Sequence, residues 1–248
     1  MPGTRTTGLL ALGGIALAAV LTVIGHLEVN DDLNPWALTI SDFAVSDRGG
    51  AIDVAMVVLA FATVALLSGL RHTGPPRRNV GRTAELLLGA WVAGLLVAAV
   101  VPTNEPGTAV TTTAYVHRYA SVVAFLALPL AGWLLARRPD LTTAARPLRA
   151  LVLLSLALAA AMIWSAYPGD RMLIGLAERL LIVTEVAVLA TVAITQTRAT
   201  TTTAPTTTAA TTATATATTA ATTATATAAA TAAVDHGVVV PHKRGLAA

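Results

Sequence analysis

The sequence predicts an all-α polytopic membrane protein: a helical bundle of six transmembrane helices with the N-terminus and C-terminus in the cytoplasm. Two observations predict the class and a third the topology. Of 248 residues, 55% are hydrophobic and 12% charged, with a mean hydropathy of +0.70, whereas a soluble domain carries about a quarter charged residues. The apolar residues come in blocks of about 20, the length that crosses about 30 Å of hydrocarbon as a helix. The arginines gather in alternate connections, as the excess of positive charge on cytoplasmic loops requires.

The first span, about Thr7–Leu27, follows MPGTRTT. Its run GLLALGGIALAAVLTVIGHL is longer than a signal-peptide core and lacks a clean A-x-A site, so it reads as a retained helix. Spans two to six fall at about Ala51–Leu70, Thr83–Val101, Arg118–Ala136, Ala150–Tyr167 and Met172–Thr195. The connections RHTGPPRRNVGR and RRPDLTTAARPLR are short, proline-containing and basic. The opposite side holds Glu28, Asp31, Asp32, Asp42, Asp47, Glu105 and Asp170 against Arg48, and Arg5 and Arg198 fall on the basic side. That asymmetry sets the orientation.

Aromatic residues mark the boundaries. Trp36, Tyr115, Tyr119, Trp164 and Tyr167 lie near the outer ends and Trp133 near an inner one, as interfacial anchors do. Trp91 is mid-span and is expected to pack between helices. Gly89, Ala90, Ala93 and Gly94 offer small faces for close helix contact. Glu85, at the cytoplasmic edge of span three, is expected to reach water. Residues 1–195 form the membrane domain. Residues 196–248 are nearly all Thr and Ala before ending in VDHGVVVPHKRGLAA, a composition that cannot bury enough surface to order itself and reads as a disordered cytoplasmic tail.

The net charge of +3 and pI near 9.9 follow from loop arginines, so no nucleic-acid partner is expected. There is no cysteine, which excludes disulfides and thiolate metal sites. The single lysine, Lys243, and the Ala/Thr usage match a GC-rich bacterial genome. The expected location is the bacterial plasma membrane, among lipids, with a homo-oligomer or another membrane protein as a possible partner.

Polar groups at membrane depth are functional candidates. Apolar residues after Leu180 are too few to cross, so span six starts near Met172 and draws Glu178 and Arg179 into the edge of the core. Glu185 lies two turns deeper, on the same face as Glu178. With the orientation fixed, the outer end collects His26, Ser41, Asp42, Asp53, His117, Arg118, Glu178 and Arg179. Arg118, read as opening span four, needs a carboxylate against the helix dipole, and Asp42, Asp53 or Glu178 can supply it. The Thr111–Thr113 run supplies hydroxyls to cap that span. One chemical use of the cluster is hydrolysis, with His26 and His117 beside Asp42 or Asp53 as metal ligands, or a histidine as general base beside Ser41. Another is a cavity for a lipid or small anionic solute, with the Glu178–Glu185 ladder and Arg118 or Arg179 meeting the head group. A third is a structural ion-pair network. No phosphate loop, H-E-x-x-H or G-x-S-x-G is present, and neither a cofactor nor a resident metal is expected.

The stretches LTISDFAVSDRGG, PTNEPGT…VHRYASVVAF and GLAERLLIVTE resemble the bacterial membrane family catalogued as domain of unknown function 998. The resemblance runs from about Thr7 to Thr195 and implies six helices. It also implies motif positions at Ser41, Asp42 and Phe43, at Pro102, Thr103 and His117, and at Gly175, Glu178 and Arg179. Val101 stands where that family usually has an aromatic residue, and Asn104 where it usually has Asp. The resemblance brings a fold and a cluster, with no reaction attached. Binding or transport of a lipid or small anionic solute is the first expectation, and a membrane-embedded hydrolase and an accessory protein are the alternatives.

Overall fold

The computed structural model describes residues 3–27, 34–46, 50–72, 78–105 and 107–199. The Thr/Ala tail from residue 200, including His236 and His242, lies outside the described residues, as do Glu28, Asp31, Asp32, Asp47, Arg48, Pro106 and the centre of the first arginine-rich connection. The described chain is helical, with no strand. The helices are α1 (Thr4–Leu27), α2 (Ile40–Ser46), α3 (Gly50–His72), α4 (Arg78–Val100), α5 (Thr112–Leu135), α6 (Ala145–Ala166) and α7 (Ile174–Ala199). All but α2 are long and apolar enough to cross a membrane. The protein is therefore a multi-pass membrane protein of six spans.

The six long helices close a ring. α1 packs on α3 and α7, α3 on α4, α4 on α5, α5 on α6, and α6 on α7. The axis of the ring is filled by Leu66, Leu88, Trp91, Leu128, Leu148, Leu181 and Leu189, each under 2% exposed. Trp91 is buried as expected, and its indole N–H donates to Thr63 Oγ1 at 3.2 Å. Among the expected small contact positions, Gly94 is used: a Cβ there would sit 2.7 Å from the Ala120 carbonyl oxygen of α5. Gly89 has open space around it instead. The anchors Trp36, Tyr115, Tyr119, Trp164 and Tyr167 are all exposed.

The helices α1, α4, α5 and α6 start earlier than the apolar runs suggest, and at α5 the cause is a side-chain cap. Thr111 is the N-cap of α5 and accepts from the Ala114 N–H at 3.3 Å, so the helix opens at Thr112 and His117 lies in its second turn. Before α6, Pro139–Ala144 forms a 3-10 turn. Arg138 fastens it by donating to Asp140, at 3.0 and 2.9 Å, and to the Leu70 carbonyl in the last turn of α3. Glu85 does more than reach water: its carboxylate accepts from Arg71 Nε at 3.0 Å.

Because the long helices alternate in direction, the C-terminal ends of α1, α4 and α6 meet the N-terminal ends of α3, α5 and α7 at one end of the bundle. The short helix α2 lies there, and this end carries the candidate site.

Candidate functional site

The site is built around α2. Thr39 and Asp42 form a capping box: the Asp42 N–H donates to Thr39 Oγ1 at 3.1 Å and the Thr39 N–H donates to Asp42 Oδ2 at 2.9 Å. The pattern T-x-x-D is visible in the sequence, yet the apolar-run reading leaves this segment as loop. Seven residues make a poor helix alone. Contacts from three other elements hold it.

The first is α7. Glu178, 4% exposed, accepts from the Ile40 N–H at the start of α2. Arg179 Nη1 donates to the carbonyls of Pro35 (2.7 Å), Leu38 (2.9 Å) and Gly175 (2.9 Å). Gly175 is the reason this approach exists. A Cβ there would stand 2.1 Å from the Leu38 oxygen and 2.4 Å from the Pro35 oxygen, and the Gly175 N–H donates to the Trp36 carbonyl at 3.1 Å.

The second is α1. His26 donates from Nδ1 to the Thr22 carbonyl at 2.8 Å, which leaves Nε2 to accept from Arg179 Nη2 at 3.1 Å. Phe43 of α2 stacks on His26 with centroids 5.1 Å apart and lies under the Arg179 guanidinium at 4.9 Å. The third is the α6–α7 connection, where Arg171 Nη2 meets Asp42 Oδ2 at 2.8 Å. That connection holds three non-glycine residues at positive φ, Asp170 (47°), Arg171 (60°) and Leu173 (60°), a conformation that costs about 1 kcal/mol or more each.

Within this frame Ser41 points to His117. His117 is 5% exposed. Its Nδ1 lies 2.7 Å from the Val101 carbonyl and its Nε2 lies 3.0 Å from Ser41 Oγ. A carbonyl only accepts, so Nδ1 carries the hydrogen, and in its neutral form the ring accepts the Ser41 hydroxyl proton at Nε2. Asp53, in the first turn of α3, is within electrostatic reach of His117. The arrangement is a hydroxyl, an imidazole and a backbone carbonyl in line, with a carboxylate nearby.

The expected cluster is thus gathered in part and divided. His26, Asp42, Glu178 and Arg179 hold α2, while Ser41, His117 and Asp53 form a second group beside it. Arg118 belongs to neither. It is exposed and makes no ion pair among the described residues, because α5 begins six residues earlier and the dipole argument no longer applies to it. The cation that meets Asp42 is Arg171, which the sequence reading passed over. Both nitrogens of His26 are engaged, so it and His117 share no metal, and among the described residues no group of three His, Asp or Glu gathers. Glu185 shares the buried face with Glu178 but is fully buried, in the middle of α7.

Asn104 shapes the approach to His117. Its Nδ2 donates to Thr108 Oγ1 at 3.1 Å and to the Ala109 carbonyl, and its Oδ1 accepts from the Thr111 N–H at 3.0 Å. An amide satisfies both roles, which a carboxylate cannot.

Residues 11–195 match the family model described as "Protein of unknown function (DUF998)". The chain belongs to this family. The match spans the whole ring of helices and every residue of the site, from His26 to Glu185. No curated protein and no solved structure matches the chain.

Proposed function

We propose that this protein is a membrane-embedded serine hydrolase that cleaves an ester- or amide-linked lipid at the outer surface of the bacterial plasma membrane. The observation that carries the reading is the Ser41–His117–Val101 line, with Ser41 Oγ 3.0 Å from Nε2 and Nδ1 fixed at 2.7 Å. Ser41 Oγ attacks the acyl carbon and His117 Nε2 takes its proton. His117 then gives that proton to the leaving oxygen or nitrogen, and water, deprotonated by His117, releases the acyl group from Ser41. The Val101 carbonyl sets the tautomer, and Asp53 stabilises the imidazolium that forms.

The placement supports a lipid substrate. Ser41 stands at the polar end of the ring, among the exposed Trp36, Tyr115 and Tyr119 that mark an interface. The arginine distribution puts this end outside and both termini in the cytoplasm. Exposed Arg118, one residue from His117, meets an anionic head group, so the binding of a lipid or small anion becomes the substrate-binding step. Transport has less support, since Glu178 already serves the Ile40 N–H and Glu185 is sealed from solvent.

A fluorophosphonate probe tests the reading without a known substrate. The purified protein in lipid nanodiscs is expected to be labelled at Ser41, and Ser41→Ala to abolish labelling. His117→Gln should slow it about a hundredfold or more, the range of a general base. Labelling that is absent, or that His117→Gln leaves unchanged, refutes the hydrolase.

A further inference from the structure

The middle of the bundle carries a second polar locus that the hydrolase does not use. Glu185 is 0% exposed, and neither of its carboxylate oxygens has a hydrogen-bond partner. Ser155 of α6 is also 0% exposed, and its Oγ has no partner. These two orphans are at one level. A Cβ on Gly132 of α5 would lie 2.9 Å from Val152 of α6 and 3.2 Å from Val188 of α7, so the three helices meet at those residues. Ser155 is three residues after Val152 and Glu185 three before Val188. Because α6 and α7 are antiparallel, both steps lead about 4.5 Å toward the α2 end. The matching step on α5 reaches Pro129, which is buried inside that helix. Proline has no N–H, so the Phe125 carbonyl loses its helix donor and is available to accept.

A carboxylate, a hydroxyl and a freed carbonyl therefore lie at one level of α5, α6 and α7, with Glu185, Ser155 and Pro129 all buried. All three accept, and Ser155 alone donates. A bare carboxylate there has no counter-charge. At the α2 end, α1 offers His26, already bonded to Arg179, α2 offers Asp42, bonded to Arg171, α3 offers Asp53, and α5 offers His117 and the exposed Arg118, Tyr115 and Tyr119. On α7 itself Glu178 lies two turns away, bonded to Ile40. At the opposite end stand Arg5 of α1, Arg71 and His72 of α3, Asp140 of the 3-10 turn, Arg146 and Arg149 of α6, and Arg198 of α7. Among the described residues no charged side chain acts on Glu185 at its own depth, and an isolated charge there costs at least about 2.5 kcal/mol.

We propose that Glu185, Ser155 and the Phe125 carbonyl form an intramembrane proton-binding site, occupied at neutral pH. The bound proton removes the charge and supplies a donor for the freed carbonyl, while Ser155, unpartnered at the same level, adds the second polar wall. One carboxylate, one hydroxyl and one carbonyl supply fewer oxygens than a hard metal cation takes, and among the described residues no group of three His, Asp or Glu gathers there, which favours the proton. This site is independent of Ser41 and His117.

Infrared spectroscopy of the full-length protein in nanodiscs, with ¹³C-labelled glutamate, decides it. At neutral pH the wild type is expected to show an isotope-shifted C=O stretch of a protonated carboxylic acid. Glu178→Gln keeps the band, and Glu185→Gln made in that variant, where no other buried glutamate remains among the described residues, removes it. Should Glu185→Gln not fold, Glu185→Asp serves, since its unlabelled acid leaves the isotope-shifted position empty. Absence of the band from the wild type overturns the proposal, and so does its survival in either Glu185 variant. A carboxylate band that moves with sodium concentration also overturns it, by assigning a metal ion. Fluorophosphonate labelling of Glu185→Gln reads the Ser41 site separately.

Discussion

The α2 end and the middle of the ring treat buried polar groups in opposite ways. At the α2 end nearly every such group has a named partner: Glu178 with Ile40, Arg179 with three carbonyls and His26, and Asp42 with Arg171 and Thr39. In the middle, Thr63 and Thr184 donate to carbonyls of their own helices, but Glu185 and Ser155 have no partner. The difference follows from where backbone is available. A short helix and a connecting segment expose unpaired N–H and C=O groups to side chains, whereas the interior of a long helix spends them on itself. Charges at the end are thus neutralised by protein, and a carboxylate in the middle must find its partner elsewhere.

Three substitutions probe this contrast, in falling order of effect. Gly175→Ala drives a methyl into two carbonyl oxygens of the α2 approach and is expected to cost about 3 kcal/mol, read as a lower denaturation midpoint in detergent. It should also reduce labelling of Ser41. If Gly175→Ala is neutral, α2 is not clamped by α7. Arg179→Met leaves the exposed Pro35 carbonyl and the half-buried Leu38 carbonyl and His26 Nε2 without their donor and is expected to cost about 2 kcal/mol, the range for lost charged hydrogen bonds. Glu185→Gln keeps the shape and adds donors, so a cost below about 1 kcal/mol is expected. A loss comparable with that of Arg179→Met would erase the distinction between the two regions.

The site is partly legible in the sequence, and the misses share one cause. His117 and Ser41 are nominated by residue type and end of span, and their pairing is offered there only as one option. Val101 is missed because its contribution is a main-chain carbonyl, which no side-chain reading reveals. Arg171 is missed because it lies in a short connection and depends on three positive-φ residues that composition does not announce. Arg118 is over-read because hydrophobicity starts the span at Arg118, although the Thr111–Thr113 run already reads as its cap and the helix opens at Thr112. Asn104 gains meaning only once its five-residue reach to Ala109 closes the loop.

By itself the sequence determined the class, the six crossings and the end of the bundle at which polar residues gather. Those depend on hydrocarbon thickness, helix rise and loop charge, all of which are local to the chain. Only the tertiary structure decided which polar groups meet. Ser41 and His117 are 76 residues apart and Ile40 and Glu178 are 138 apart, and helices that all satisfy their own backbones can be assembled in many rotations. The rotation chosen here is set by packing at Gly94, Gly132 and Gly175, where the absence of a side chain lets neighbouring helices and carbonyls come close.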